Sequence, residues 1–377
     1  MYVIFYCLSS FPALALSFGL GNVPVRYLAL PTLLYFSEFR KVDVLFLVAA
    51  LFHLLYSLAS AGVRPFSLLD FSYALAYIYI LLGVAVVRKN PEYFKIFVIV
   101  FWLLNIIYAV YQDTFLMLDG NQFWVMMHEN THDVSYVLPK VEFIPYLYRV
   151  TGLFVESAPF VIYLMMTHLA FSILLVSKWL KYINMLFIFL AGAKIGYVFL
   201  LLVGASFVVS KLGLKILKFM VLGILLVFSF APFLLGLLYG ARAFESLWVR
   251  LNSFYEIVQG FSSETLGFLF GYGMVSSTQL MSGDFEGPMR GIDFFSTYIY
   301  ANGVLGSLAL LLPLVLWAAF NVNALTLLQK NLSSLIIFLS LLTMGSLINF
   351  QYAYYFFILA FSSCRTVGKS VSFRENN

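Results

Sequence analysis

The chain is predicted to be an all-α, polytopic transmembrane helical bundle of about twelve spans, and three observations predict it. Apolar residues make up 63% of the 377 residues and charged residues only 10%, against about half and about a quarter in a soluble globular chain. Mean hydropathy is +0.96, more apolar surface than a single core of this size can hide from water. Apolar runs long enough to cross a bilayer recur along the sequence.

The runs fall at 2–20, 27–37, 43–62, 67–87, 94–112, 153–177, 182–193, 195–210, 219–239, 292–320, 333–348 and 350–363. The second, seventh and twelfth are short and read as re-entrant, tilted or partial spans. Residues 1–377 read as one integral membrane domain. The first run has no basic region ahead of it and no A-x-A site, so it reads as a retained span and not as a cleaved signal peptide. Pro12, Pro159, Pro232 and Pro313 kink or start spans, because neighbouring helices can re-satisfy the backbone around them.

Charge then orients the spans. The net charge is +5, but the basic residues stand in ones, twos and threes between apolar runs. That pattern marks topology and not a nucleic-acid surface. With both termini cytoplasmic, 14 of the 22 basic residues map inside, in short clusters: Arg40, Lys41, Arg88, Lys89, Lys95, Lys178, Lys181, Lys211, Lys215, Lys218, Lys330, Arg365, Lys369 and Arg374. Arg26, Arg64, Lys140, Arg149, Lys194, Arg242, Arg250 and Arg290 map outside, mostly as isolated residues that topology does not explain. Twelve of the 17 acidic residues also map outside, many of them in the two long connections 113–152 and 240–291. Long connections in a compact protein are usually functional, so the chemistry is expected on that face. Cys7 and Cys364 fall at different levels of the bilayer, which leaves no disulfide, redox or metal motif.

Four segments on that face stand out. The first is Arg149-Val-Thr-Gly152-Leu-Phe-Val-Glu156-Ser-Ala-Pro159, at the start of a span after the first long loop. The second is Leu190-Ala-Gly192-Ala-Lys194-Ile-Gly196, a break between two short helices. The third runs from Trp248-Val-Arg250 to Leu269-Phe-Gly271-Tyr-Gly273, whose glycines read as turn residues. The fourth is Asp293-Phe-Phe-Ser-Thr-Tyr-Ile-Tyr-Ala-Asn302-Gly303-Val-Leu-Gly306. In order, spacing and topology these segments resemble the Wzy-type O-antigen polymerase and O-antigen ligase superfamily of bacterial inner membranes, over most of residues 90–320. The chain departs from that pattern at Lys194, where arginine is usual. It also has no histidine after His168, whereas ligases of the superfamily carry one near the end of the large outer loop. The departure favours polymerase over ligase and argues against a histidine-based mechanism.

The resemblance implies glycosyl transfer at the periplasmic face of a Gram-negative inner membrane. A glycan on undecaprenyl diphosphate would move onto the non-reducing end of a new lipid-linked repeat unit, with no cofactor, nucleotide sugar or metal. A chain-length regulator protein is implied as a partner, and nucleic acid is not. A departing diphosphate needs fixed cations, and arginine binds phosphate oxygens in a planar fork and stays charged. Arg149, Lys194, Arg250 and Arg290 are therefore the diphosphate-binding candidates; the plainer reading is that they snorkel to lipid headgroups. Arg242 reads as an ordinary interfacial charge. Glu156, Glu256 and Asp293 are the candidate bases for the attacking sugar hydroxyl, or else ion-pair partners of those cations.

Two other functions compete. His128-Glu129-Asn130-Thr131-His132 has the H-E-x-x-H spacing of a membrane zinc protease. Asn130 and Thr131 are poor helix formers and Asp133 adds charge where such a helix should pack, so a hydrated loop surface fits better. Phe123, Trp124 and Tyr136 nearby could stack on sugar rings. A polysaccharide flippase or other transporter would have a similar number of spans, but residues 1–190 and 191–377 show no internal repeat.

Overall fold

A computed structural model describes residues 2–10, 15–18, 21–35, 39–60, 68–112, 140–141, 144–148, 150–154, 157–216, 218–219, 252, 265–271, 294–343 and 350–372. These residues form a helical bundle: α1 Tyr2–Ser9, α2 Val44–Ala59, α3 Leu68–Lys89, α4 Pro91–Tyr111, α5 Ser157–Ile173, α6 Lys178–Leu190, α7 Lys194–Lys211, α8 Thr265–Phe270, α9 Phe294–Val322, α10 Leu327–Thr343 and α11 Phe350–Ser372. Four helical stretches, Lys41–Ala59, Phe71–Lys89, Pro91–Tyr111 and Lys194–Lys211, are long and apolar enough to cross a membrane. At about 1.5 Å per residue they match a hydrocarbon layer of about 30 Å. A fifth is the pair Tyr298–Leu308 and Leu311–Val322, bent by 71°. Pro313, which removes one helical amide and crowds the carbonyl four residues earlier, sits just beyond that bend. Apart from Phe219, the expected span 219–239 lies outside the described residues.

The first two expected spans fold differently. Helix α1 covers only residues 2–9. It is followed by an antiparallel hairpin, β1 Ala15–Phe18 with β2 Gly21–Pro24, and then by a 3-10 segment, Val25–Tyr35. Hydropathy reads 2–20 as continuous, but a proline at position 12 cannot donate to a helix and Gly21 opens the second strand of the hairpin. Pro31 lies inside the 3-10 segment of the second run. A second hairpin pairs β3 Lys140–Val141 with β4 Ile144–Tyr148.

Helices α3, α5 and α11 are the centre, and α11 packs on α3, α4, α5 and α9. Residues Phe160–Ala170 of α5 and Gln351–Phe361 of α11 are buried without interruption, so these helices touch protein all round, as a core helix does. Gly83 of α3 admits the ring of Phe357; a Cβ at Gly83 would lie 1.9 Å from that ring. The surrounding helices instead expose apolar stripes at helical spacing, Leu47, Leu51, Leu55 and Leu58 on α2 and Val100, Leu103, Leu104 and Ile107 on α4. In water such stripes would drive aggregation, and in lipid they cost nothing.

The helix ends sort into two faces. At one face, Arg88 at the end of α3 bonds Asp43 just before α2 and Asn321 near the end of α9, and Arg40 reaches Ser363 of α11. Also on this face, Gln329 of α10 bonds Ser172 of α5, and Asn331 bonds Ser210 of α7. At the other face, Tyr56 of α2 meets Phe270 and Asn302, Gln351 of α11 meets Pro159 of α5, and Gln112 after α4 meets Thr151. We call them the Asp43 face and the Tyr56 face. Arg40, Lys41, Arg88, Lys89, Lys178, Lys211 and Lys330 all belong to helix ends on the Asp43 face. Cys7 and Cys364 are free thiols.

Candidate functional site

The segment holding Arg149 and Glu156 is anchored to the Tyr56-face end of α4. Gln112 Oε1 accepts the backbone amides of Thr151 and Gly152, each at 3.0 Å, and its Nε2 donates to Thr151 Oγ1 at 2.9 Å. Asn105 Oδ1, one to two turns earlier on α4, accepts the amide of Leu153 at 3.0 Å. Gly152 turns the chain with φ +55°. A Cβ there would lie 2.7 Å from the Phe160 ring and 2.8 Å from Asn105 Oδ1, so the glycine of the first segment is a close-approach position. Removing Gln112 strips buried amides of their acceptor, at about 1–3 kcal/mol for each group left unpaired. Gln112→Ala is therefore expected to melt several degrees below wild type in detergent, and an unchanged melting temperature would show that this anchor is idle.

The second segment comes to the same rim. Helices α6 and α7 break over 191–193, with Gly192 at φ +69°. Gly196 in the first turn of α7 packs on α5, where a Cβ would lie 3.1 Å from Val161 Cγ1. Lys194, the first residue of α7, is exposed at that rim, beside the start of α5 that follows Glu156 in sequence. Arg149, Glu156, Arg250, Glu256, Arg290 and Asp293 lie outside the described residues, as do Arg242 and the histidines of the H-E-x-x-H segment.

The third and fourth segments meet each other. Gly271 (φ +78°) and Gly303 (φ +64°) cross backbone to backbone. A Cβ at Gly271 would lie 2.4 Å from Gly303 N, and one at Gly303 would lie 2.3 Å from Leu269 O. Gly271, expected as a turn residue, has the positive φ of one and also packs on backbone. Gly306, one turn on, makes room for the Tyr56 ring, which a Cβ would approach to 2.5 Å. Tyr56 Oη lies 2.6 Å from Asn302 O and 3.1 Å from Phe270 O. Below it sits a buried polar group. The Tyr77 and Tyr298 hydroxyls are 2.9 Å apart, and His53 stacks on Tyr73 with ring centres at 5.6 Å.

Three further features were not expected. Asp43 is 1% exposed and pairs with Arg88, accepts Trp317 Nε1 at 2.8 Å and caps the Arg40 amide at 3.0 Å. Arg88, expected as a topology charge at the membrane surface, instead closes a buried ion pair. Arg26, expected as an isolated outer charge, is 3% exposed and stands over the Tyr27 ring. That ring is 5.8 Å from Tyr79 in the middle of α3. His53, buried on α2, was not singled out, because one histidine in an apolar run carries no pattern. Among the described residues no group of three or more His, Cys, Asp or Glu is placed to hold a metal ion. No protein-family model and no curated protein sequence matches the chain.

Proposed function

We propose that the chain is an inner-membrane glycan polymerase of about twelve spans, with both termini cytoplasmic. Its Tyr56 face is periplasmic, because the clustered basic residues lie on the opposite face. The donor is a glycan on undecaprenyl diphosphate and the acceptor is the non-reducing-end hydroxyl of a lipid-linked repeat unit. That hydroxyl attacks the anomeric carbon, the bond from that carbon to the diphosphate oxygen breaks, and undecaprenyl diphosphate leaves. The hydroxyl proton passes to a carboxylate, for which Glu156, Asp293 and Glu256 are the candidates. Arg149, Lys194, Arg250 and Arg290 stabilise the charge gathering on the departing diphosphate.

The observation that carries this reading is the packing of Gly196 against Val161. It sets the Lys194 break against the helix that follows Glu156, so the first two segments share one rim. The Gly271–Gly303 crossing joins the other two segments on the same face. Replacing Arg149, Lys194, Arg250 and Arg290 singly with alanine is expected to truncate or abolish the surface-polysaccharide ladder on gels at unchanged protein level. Wild-type ladders from all four variants would remove the reading.

The broken α9 favours a carrier as the second reading, since transporters bind their cargo at interrupted helices. Proteoliposomes separate the two. A polymerase lengthens lipid-linked glycan within one leaflet, whereas a carrier changes its leaflet and leaves its length alone.

A further inference from the structure

At the Asp43 face, the end of α7 and the start of α10 are joined through Asn331, which is 2% exposed. Its Oδ1 accepts the amide of Ile216 at 3.0 Å, and its Nδ2 donates to Ser210 Oγ at 2.7 Å and to Leu214 O at 3.1 Å. The turn that leaves α7 is thereby clamped to α10. Lys211 and Lys215 are exposed on that turn, Lys218 is exposed just after it, and Lys330 precedes Asn331 on α10. No acidic residue occurs from 157 to 244 or from 294 to 374, the stretches that contain α5, α6, α7, α9, α10 and α11. Among the described residues, none of the four lysines pairs with a carboxylate. Their attraction is therefore directed at anions from outside these helices.

The same turn is apolar between its charges. Leu212 is 68% exposed, Leu214 41% and Phe219 53%, and Lys211 Nζ stands 4.6 Å from the centre of the Phe207 ring. Trp179 and Tyr182, exposed at the start of α6, are the residue types that mark the level where hydrocarbon gives way to headgroups. Ammonium groups interleaved with exposed leucine and aromatic side chains suit a layer that is anionic above and hydrocarbon below. A soluble acidic protein or a nucleic acid would satisfy the charges and leave the leucines in water. We propose that Lys211, Lys215, Lys218 and Lys330, set around Asn331, bind the phosphate headgroups of anionic phospholipid, whose acyl chains run along Leu212, Leu214 and Phe219. The bound lipid bridges α7 and α10 and fixes their ends at the membrane surface. This patch belongs to the Asp43 face alone, so it stands whether or not the opposite face polymerises glycan.

The test is thermal unfolding of the purified full chain in detergent micelles carrying rising fractions of phosphatidylglycerol or of phosphatidylcholine. Phosphatidylglycerol is expected to raise the melting temperature by several degrees, saturably, and phosphatidylcholine to leave it unchanged. The triple variant Lys211→Gln, Lys215→Gln, Lys330→Gln should need roughly tenfold more phosphatidylglycerol for half the rise, because each lysine at the surface adds to the attraction for anionic lipid. Arginine at the same three positions should keep the wild-type response. Glutamine in place of Lys41, Lys89 and Lys95, exposed on the same face at the ends of other helices, should not shift it. Equal shifts from the two glutamine triples would mean a diffuse attraction of the whole face and overturn the proposal. A wild type indifferent to phosphatidylglycerol would overturn it as well. So would an equal rise with water-soluble glycerol phosphate, which would make the ligand a free anion.

Discussion

Asp43→Ala is expected to destabilise the bundle by about 3–5 kcal/mol, the range found when one partner of a buried pair is removed and the other is left charged in an apolar setting. Arg88 would keep its bond to Asn321 and its stacking over Trp317, at 5.7 Å, but would lose its counter-ion. Trp317 Nε1 and the Arg40 amide would lose their acceptor as well. The loss should appear as a large drop in melting temperature and in monodisperse yield after detergent extraction. Replacing the pair together, Asp43→Asn with Arg88→Met, should recover much of it, because the stranded charge is then gone. A single Asp43→Ala variant that melts with wild type would show that the pair contributes nothing.

The second large effect is expected at Gly303. Valine there meets two obstacles. At φ +64° and ψ −176° the backbone lies in a region essentially restricted to glycine, at a cost of about 1–3 kcal/mol for a residue with a Cβ. The side chain would also point into Leu269 O, with the first carbon already at 2.3 Å. Backbone cannot swing aside as a side-chain tip can, so Gly303→Val should fail to yield folded protein. Gly204 in α7 is the matched control. It has nothing within 4 Å of its Cβ position and sits in a regular helix, where alanine is favoured over glycine by roughly 0.5–1 kcal/mol. Gly204→Ala is expected to match or exceed wild type in melting temperature. Comparable losses at both positions would mean that local crowding is not what distinguishes them.

Much of the helical order was legible in hydropathy, because a helix that meets lipid must be apolar along a bilayer-length stretch whatever it packs against. The runs 43–62, 67–87, 94–112 and 195–210 each overlap most of a membrane-length helix of the structure. Hydropathy failed where the backbone mattered more than side-chain transfer energy. Residues 2–20 are apolar enough to span, yet they hold a short helix and the first strand of a hairpin, with a proline at position 12 that cannot donate to a helix. Charge patterning located the Asp43 face but could not tell Arg88, which enters a buried pair with a residue 45 positions away, from Lys89 beside it. Such pairing is a property of how α2, α3 and α9 meet, and no local pattern carries it.

The candidate site was legible in a different way. Gly152, Gly192, Gly271, Gly303 and Gly306 stood out as motif glycines, and each now has a steric or conformational reason in a positive φ, a close approach or both. The cations were legible only as residue types at a membrane level. Lys194 is exposed at the start of α7, whereas Arg26 shows that an isolated arginine assigned to the outer surface can be buried over a tyrosine ring.

The ring of Phe5 lies 5.6 Å from Tyr79 and 5.8 Å from Phe357. Residue 5 leaves the ribosome some 350 residues ahead of one of its packing partners. A nascent chain halted before residue 350 would hold this N-terminal stretch with Gly83 facing an unfilled slot. The slot at Gly83 is therefore filled, and the last ring against Phe5 supplied, only once α11 has been made.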